Sequence, residues 1–215
     1  MNKIVEKRRY TVGEEIFSAT AHGIGAVFSV VALILMLLRT SANGDAVSVL
    51  SAAVFGTSLI VLYSMSTLYH ALTGEKAKKV FRIFDHATIF LLIAGTYTPY
   101  LLITLRGTMG WILFFVLWGL TAIGIVFDSI MLDRFHKVEM VLYVAMGWCV
   151  LLTGKTLVAN LAAGGIWLVL AGGILYTLGI VFYSMKKIPY MHSVWHLFVL
   201  GGSVLQFFSV YLYVL

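Results

Sequence analysis

Apolar residues occur in seven long runs along the chain, and short polar or turn-forming segments separate the runs. Each run reaches the roughly 20 residues that an α-helix needs to cross the hydrocarbon core of a bilayer. The pattern predicts an all-α membrane protein with seven transmembrane helices and no soluble insertion large enough for a second domain. The predicted spans are 17–39, 46–71, 82–105, 109–131, 138–159, 165–185 and 191–214, in a transmembrane domain of residues 17–215 that follows an N-terminal segment of residues 1–16.

Composition excludes a soluble globular domain. Hydrophobic residues make up 61% of the chain and charged residues only 11%, which is too little polar surface to cover a water-facing exterior. The single cysteine, Cys149, excludes an internal disulfide and a cysteine-rich metal site. The first apolar run is longer than the hydrophobic region of a cleaved signal peptide, so we expect it to be retained as the first helix.

The distribution of positive charge predicts the orientation of the helices. Twelve of the fifteen Lys and Arg residues fall in the N-terminal segment and in alternate connections, and only Arg39, Arg106 and Lys155 fall on the other side. The positive-inside rule then predicts a cytoplasmic N-terminus and an extracellular C-terminus, in a multi-pass protein of the plasma membrane. The net charge of +6 follows from this bias and from contact with anionic lipid, and it does not indicate a nucleic-acid partner.

Several polar and aromatic residues near the ends of the spans are interpreted as surface features. Asp128 and Glu139 read as charges at the cytoplasmic interface, and His136, in the connection between them, as a solvated residue. Tyr97, Tyr100 and Trp111 are placed near the outer surface, where amphipathic rings form interfacial belts. None of these residues is assigned to a site.

Ionisable residues recur at one end of four predicted helices. At a rise of 1.5 Å per residue, they all lie within about 10 Å of the predicted cytoplasmic boundary. Such side chains are costly in hydrocarbon unless something binds them, so a cluster at one depth indicates a functional site. The residues are His22, His70, Asp85, His86, His192 and His196.

The spacing of these residues favours a metal ion. His192 and His196 stand at i and i+4, so both imidazoles project from one face of the last helix. A catalytic zinc site uses three protein ligands and an exchangeable water, and His70, His192 and His196 would supply three nitrogens. Asp85 could hold the water or act as general base, and Ser66, one turn from His70, could hydrogen-bond the water or a substrate carbonyl.

Other residues of the cluster are expected to support the ligands. Glu15, Ser18 and His22, at i, i+3 and i+7, share one face of the first helix and could orient the histidines from outside. Asp85 and His86 are adjacent and point about 100° apart, so only one of them can face a given centre, and His86 is assigned to the outer shell. A histidine that merely hydrogen-bonds between helices is the alternative for His22 and His86.

The ionisable residues belong to three motifs in chain order. The motifs are Glu15-x2-Ser18-x3-His22-Gly23, then Ser66-x3-His70 followed by Phe84-Asp85-His86, and finally His192-x3-His196. They resemble the motifs of the haemolysin III proteins, the bacterial branch of the progestin and adiponectin receptor superfamily. The resemblance covers essentially the whole chain and implies that His70, His192 and His196 bind zinc, with Asp85 reaching the ion through water.

The leading hypothesis is a zinc-dependent hydrolase or sensor of membrane lipids. The resemblance implies kinship with receptors that hydrolyse ceramide and with alkaline ceramidases. Zinc lowers the pKa of a bound water toward neutrality and polarises a carbonyl, so hydrolysis of an amide or ester suits the site. A centre about 10 Å below the headgroups lies near the depth of such a linkage, which makes a ceramide-like lipid a candidate partner.

Functions of other classes stay open. The family name implies a membrane-lytic pore, and a non-catalytic role in membrane homeostasis fits the same residues. A haem protein is disfavoured because His192 and His196 share one helix face, and a retinal protein because the seventh span has no lysine. Ion transport through Asp85 and the histidines ranks below these. The oligomeric state is not indicated.

Overall fold

The computed structural model describes residues 10–215, apart from the side chains of residues 43 and 131–137. Every regular element of this part of the chain is helical, and seven segments are long and apolar enough to cross a membrane, as predicted. The elements are α1 (Val12–Asn43), α2 (Ala46–Ala71), α3 (Glu75–Pro99), a π-helix (Tyr100–Leu105), α4 (Gly107–Gly147), a 3₁₀ helix (Cys149–Thr153), α5 (Gly154–Asn160), α6 (Ala163–Ser184) and α7 (Met191–Tyr213).

Two helices begin well before the apolar runs that predicted them. Helix α1 starts at Val12, because Thr11 caps it in a reciprocal arrangement with Glu14. The Glu14 amide donates to Thr11 Oγ1 at 3.2 Å, and the Thr11 amide donates to the Glu14 carboxylate at 2.7 Å. Helix α3 starts at Glu75, ahead of the predicted 82. Hydropathy detects only the apolar part of a helix, so these polar first turns were assigned to the connections.

The fourth and fifth spans are both packed on α3, in opposite directions. Thr121 donates to the Phe90 carbonyl at 3.2 Å, whereas Glu139 contacts His86 at 2.7 Å and the Tyr97 hydroxyl donates to the Gly147 carbonyl at 2.5 Å. The chain therefore reverses between residues 130 and 138. The two spans are antiparallel, although both begin or end within α4. The backbone of the predicted connection at 133–137 is helical and belongs to α4. The side chain of His136 lies outside the described residues.

The helices form a bundle that closes between its first and last members. Helix α1 packs against α2 and α7, α3 lies between α2 and α4, and α6 packs against α7. The α6 and α7 contact is close because of glycine: a Cβ at Gly202 would lie 2.7 Å from Cε1 of Tyr176. Large apolar side chains such as Ile130, Leu152 and Trp167 cover the exterior, as expected for a surface in contact with lipid.

One end of the bundle carries the ends of α2 and α7 that hold His70 and His192, and it is called the histidine end below. The assignment of this end to the cytoplasm stays a prediction from the positive-inside rule. Four expectations made for residues near the surfaces are wrong. Asp128 and Glu139 are only 2% and 3% exposed, and the rings of Tyr97 and Tyr100 are buried. The Tyr100 hydroxyl donates to Gln206 Oε1 at 3.1 Å inside the bundle. Depth along a helix did not reveal which face each residue occupies.

Candidate metal centre

Three imidazoles converge at the histidine end. His70 comes from the last turn of α2, and His192 and His196 come from the first turns of α7. The Nε2 atom of His192 lies 3.0 Å from Nε2 of His196 and 3.4 Å from Nε2 of His70. The three residues form a group whose possible ligand atoms all lie within 4.8 Å of one another. His70 and His196 are buried, while His192 is partly exposed.

The arrangement of these nitrogens suits a divalent cation better than hydrogen bonds. A tetrahedral zinc ion with Zn–N bonds of about 2.0–2.1 Å separates its ligand nitrogens by about 3.3–3.4 Å, close to the spacing observed. A neutral His70 whose Nδ1 carries the proton presents only a lone pair at Nε2, and the single Nε2 proton that His192 can carry satisfies one neighbour at a time. A cation would be coordinated by all three lone pairs, so the residues present fit zinc.

A carboxylate fixes the orientation of His70. Glu15 Oε2 accepts from His70 Nδ1 at 2.6 Å, and Lys78 Nζ lies 2.6 Å from Glu15 Oε1. This contact favours the tautomer in which Nδ1 bears the proton and Nε2 faces the centre, as in carboxylate–histidine–zinc sites. Lys78 was not among the predicted site residues, because no spacing in the sequence links it to Glu15.

The two candidate catalytic residues are both buried. The Ser66 side chain is 1% exposed, and its Oγ has no hydrogen-bond partner among the described residues. Asp85 is buried on α3 but is not a member of the 4.8 Å group, so its carboxylate is not a fourth ligand in this geometry. A bridging water would suit both positions, since an unpaired buried hydroxyl is otherwise costly.

The other residues assigned to the outer shell take three different positions. The ring of His22 packs on that of His196, with centroids 3.8 Å apart. Ser18 Oγ lies 2.9 Å from Ser193 Oγ and so joins α1 to α7 rather than touching a histidine ring. His86 turns toward Glu139 on the fifth span, away from the three histidines.

Glu14 holds the beginning of α7 and was missed by the sequence analysis. Its Oε1 accepts from the Tyr190 amide at 2.7 Å, while Oε2 accepts from Thr11. Tyr190 is a non-glycine residue in the left-handed region, with φ of 64°, a conformation that needs support from its surroundings. Ser193 Oγ adds a hydrogen bond to the Glu14 carbonyl at 3.3 Å. The carboxylate therefore holds the N-cap residue of α7, two residues before His192.

A cavity of about 130 Å³ lies in the bundle, and it adjoins the centre through His22, which lines the cavity and packs on His196. His22 and Asp85 line it near the histidine end, and Tyr100 and Gln206 line it further in. Between them the wall is mostly apolar, with Val199 among its residues. Asp85 and Tyr100 are fifteen residues apart on the helical segment α3 and its π-helical continuation, which corresponds to about 22 Å at the α-helical rise.

Comparison with known proteins agrees with the three motifs. The sequence profile of a family described as "Haemolysin-III related" matches residues 10–207. The chain belongs to this family. It is 48% identical over 204 residues to "Hemolysin-3" of Bacillus cereus, covering 95% of this chain and 93% of that relative. It is 44% identical to the "Hemolysin-3 homolog" of Bacillus subtilis (strain 168), covering 95% and 96%.

A more distant relative comes from animals. The chain is 26% identical over 170 residues to the human "Monocyte to macrophage differentiation factor", covering 76% of this chain and 70% of that protein. Sequence and structure therefore agree on three points. These are membership of the haemolysin III family, a multi-pass membrane architecture and a possible three-histidine metal site.

Proposed function

We propose that this haemolysin III family member is a zinc-dependent hydrolase of membrane lipids, which cleaves an amide or ester bond of ceramide-like type in the plasma membrane. The observation that carries the proposal is the three-histidine group, whose member His196 packs on His22, a residue that lines the same cavity as Asp85. The ligand set is that of a catalytic zinc site with room for a fourth, exchangeable ligand. Bound zinc would supply a Lewis acid that activates water and polarises the scissile carbonyl.

The residues of the chain divide the work around that centre. The carboxylate of Asp85 accepts the proton of the attacking water and returns it to the leaving group, as a general base and then a general acid. Ser66 donates its hydroxyl, which has no hydrogen-bond partner in the part of the chain that the structure describes, to the carbonyl oxygen of the substrate, where negative charge develops. Glu15 keeps His70 in its ligating tautomer.

The cavity supports a lipid as the substrate class. Its wall is mostly apolar, and it extends from Asp85 toward the middle of the bundle, so an acyl chain would lie inside with its linkage near Asp85. A water-soluble substrate would gain little from such a wall. The partner is therefore expected to reach the site from the surrounding bilayer.

Metal content is the first test. The purified protein should hold one zinc per chain by mass spectrometry, and His70→Ala and His196→Ala should each lose it. His86→Gln is the matched control for a histidine lost at the same end of the bundle, and it should keep the metal. Wild-type protein that binds no divalent metal after incubation with zinc would refute the proposal.

Lipid turnover is the second test. The zinc-loaded protein in lipid nanodiscs is supplied with ceramides and with ester-linked lipids, and products are measured by mass spectrometry. Asp85→Asn should abolish turnover and keep the zinc, whereas Glu75→Gln, at the exposed start of α3, should behave as wild type. Stoichiometric zinc with no product from any of these lipids would leave a structural metal and contradict the hydrolase.

A lytic function is the second candidate, because the Bacillus cereus relative is named Hemolysin-3. Dye release from liposomes distinguishes the two proposals. Lysis would release dye equally from liposomes containing wild-type protein and the His196→Ala variant, whereas a hydrolase would release none in the absence of a cleavable lipid.

A sensor without turnover would bind lipid in a zinc-dependent manner and form no product.

A further inference from the structure

A second group of buried ionisable residues lies next to Asp85, on the side away from the three histidines. His86 Nδ1 is 2.7 Å from Glu139 Oε1, and the Tyr143 hydroxyl donates to that same oxygen at 2.6 Å. Asp128 is buried as well, and its Oδ2 has no hydrogen-bond partner among the described residues. A carboxylate oxygen without a partner is costly to bury, which indicates a group that exchanges protons or water.

The face of α4 that contacts α3 brings Asp128 to the level of His86. Thr121 donates to the Phe90 carbonyl, and Gly124 packs directly on the Phe90 ring. One turn further along this face comes Asp128, and one turn back along α3 comes His86. The charges of Asp128, His86 and Glu139 interact with one another. Asp128 lies two residues from the end of the fourth span, at the histidine end.

A small cavity of about 30 Å³ joins this group to Asp85. Asp85, His86, Glu139 and Tyr143 all line it, and Asp85 lines the large cavity as well. A cavity of this volume with several polar partners has room for an ordered water molecule. Asp85 therefore stands between a space suited to an acyl chain and a space suited to water.

Resting on the proposed hydrolysis, we propose that His86, Glu139 and Asp128 form a proton path between Asp85 and the histidine end of the bundle. When an ester is cleaved, Asp85 first returns the proton of the attacking water to the leaving group, and the product carboxylic acid then gives its proton to Asp85. Asp85 passes this second proton through water in the small cavity to the His86 imidazole. His86 releases its Nδ1 proton to Glu139, and Glu139 passes a proton on to Asp128 and solvent. One proton moves, no bond to carbon changes, and Asp85 returns to the carboxylate.

The geometry favours a path in series over a second metal site. Ligand atoms that converge within 4.8 Å are found, for the described residues, only in the group of His70, His192 and His196. The contact of His86 with Glu139 pairs a proton donor with an acceptor, and the register of α4 on α3 puts Asp128 at the level of His86. Ester hydrolysis releases a proton, and the wall of the large cavity beyond Asp85 is mostly apolar.

The test compares Glu139→Gln with Glu75→Gln in zinc-loaded protein. Turnover in Glu139→Gln should fall by about a hundredfold or more, within the range of roughly 10²–10⁴ that general acid–base groups contribute. Zinc content and melting temperature should stay at the wild-type values, and added azide or imidazole should restore the rate by carrying the proton. Glu75→Gln should show neither loss nor rescue. Wild-type turnover in Glu139→Gln, or a loss that neither small acid nor base restores, would overturn the path.

Asp128→Asn gives the same test should Glu139→Gln fold poorly, since Asp128 Oδ2 makes no hydrogen bond to a described residue that the variant would break. A second measurement needs no turnover, and so separates this proposal from the hydrolase itself. The carboxyl stretch of protonated Asp85, assigned in the infrared by its loss in Asp85→Asn, should shift in D₂O more slowly in Glu139→Gln than in wild type. Equal exchange rates would refute the path, whether or not a lipid is cleaved.

Discussion

The Nδ1 atom of His70 and the Oε2 atom of Glu15 lie 2.6 Å apart, although the two residues are 55 positions apart in the chain. This contact ties the first helix to the ligand that the second helix supplies. Lys78 neutralises the other carboxylate oxygen, which allows a charged group to persist at this depth. The contacts of Glu15 with His70 and with Lys78 predict how the metal centre responds to substitution.

Replacing Glu15 with Gln should weaken zinc binding without abolishing it. The amide can still accept from Nδ1, but it lacks the charge that raises the basicity of the ligating imidazole, so we expect affinity to fall by roughly 10–100-fold. Titration against a chromogenic chelator measures this change. Glu75→Gln removes the same charge at an exposed position and should bind zinc as wild type does. Equal affinities for the two variants would show that Glu15 does not orient the ligand.

Zinc should dissociate as the pH is lowered. Only the deprotonated imidazole nitrogen ligates a metal, so protons compete with the ion and the apparent affinity falls from about pH 8 toward pH 5. The sign is fixed: binding releases protons, and stability from the metal is present at high pH and lost at low pH. Zinc-dependent melting temperatures across this range measure the effect. Protection by zinc that did not change with pH would contradict ligation by histidine.

Filling the large cavity should block lipid turnover and leave the metal in place. Val199 lines the cavity on α7, so Val199→Phe adds volume where an acyl chain would lie. Leu197→Phe adds a similar volume on the same helix at an exposed position, and serves as the control. Zinc content and product formation are measured for both. Full turnover in Val199→Phe would place the substrate elsewhere.

Alanine at Gly202 should destabilise the bundle, whereas alanine at Gly119 should not. A Cβ at Gly202 would meet the Tyr176 ring at 2.7 Å, and overpacking of this kind costs about 1–3 kcal/mol. At Gly119 nothing lies within 4 Å of the added atom, and alanine improves helix propensity by about 0.8–1 kcal/mol. Thermal unfolding in detergent should therefore shift in opposite directions for the two variants.

The architecture could be predicted because each membrane-spanning helix requires a long apolar segment in the sequence. Backbone groups in hydrocarbon must be satisfied within a helix, so each span appears as a long apolar run. The meeting of His70 with His192 and His196 followed from the alternating direction of successive spans, which puts the end of the second beside the beginning of the last. Their burial and the direction of their nitrogens could not be read from spacing.

The residues that were missed or misplaced depend on which helix faces lie together. Glu14 and Lys78 belong to polar first turns, and their partners lie across the bundle at positions that no local pattern connects. Asp128 and Glu139 lie near the predicted interface by depth, yet both point into the interior. Packing between neighbouring helices determines which of these residues are buried and which residues they contact. A hydropathy profile contains no information about that packing.

The closure of the bundle by α1 and α7 has a consequence for biosynthesis. The chain is made from its N-terminus, so Glu14, Glu15 and His70 are in the membrane long before the helix that brings the other two imidazoles. Zinc can be coordinated by all three imidazoles only after the last helix has inserted and packed against the first. Metal binding would then be the last step of assembly. A chain interrupted before α7 would hold only one of the three ligands, His70, and no ion, which would distinguish it from the complete protein in cellular quality control.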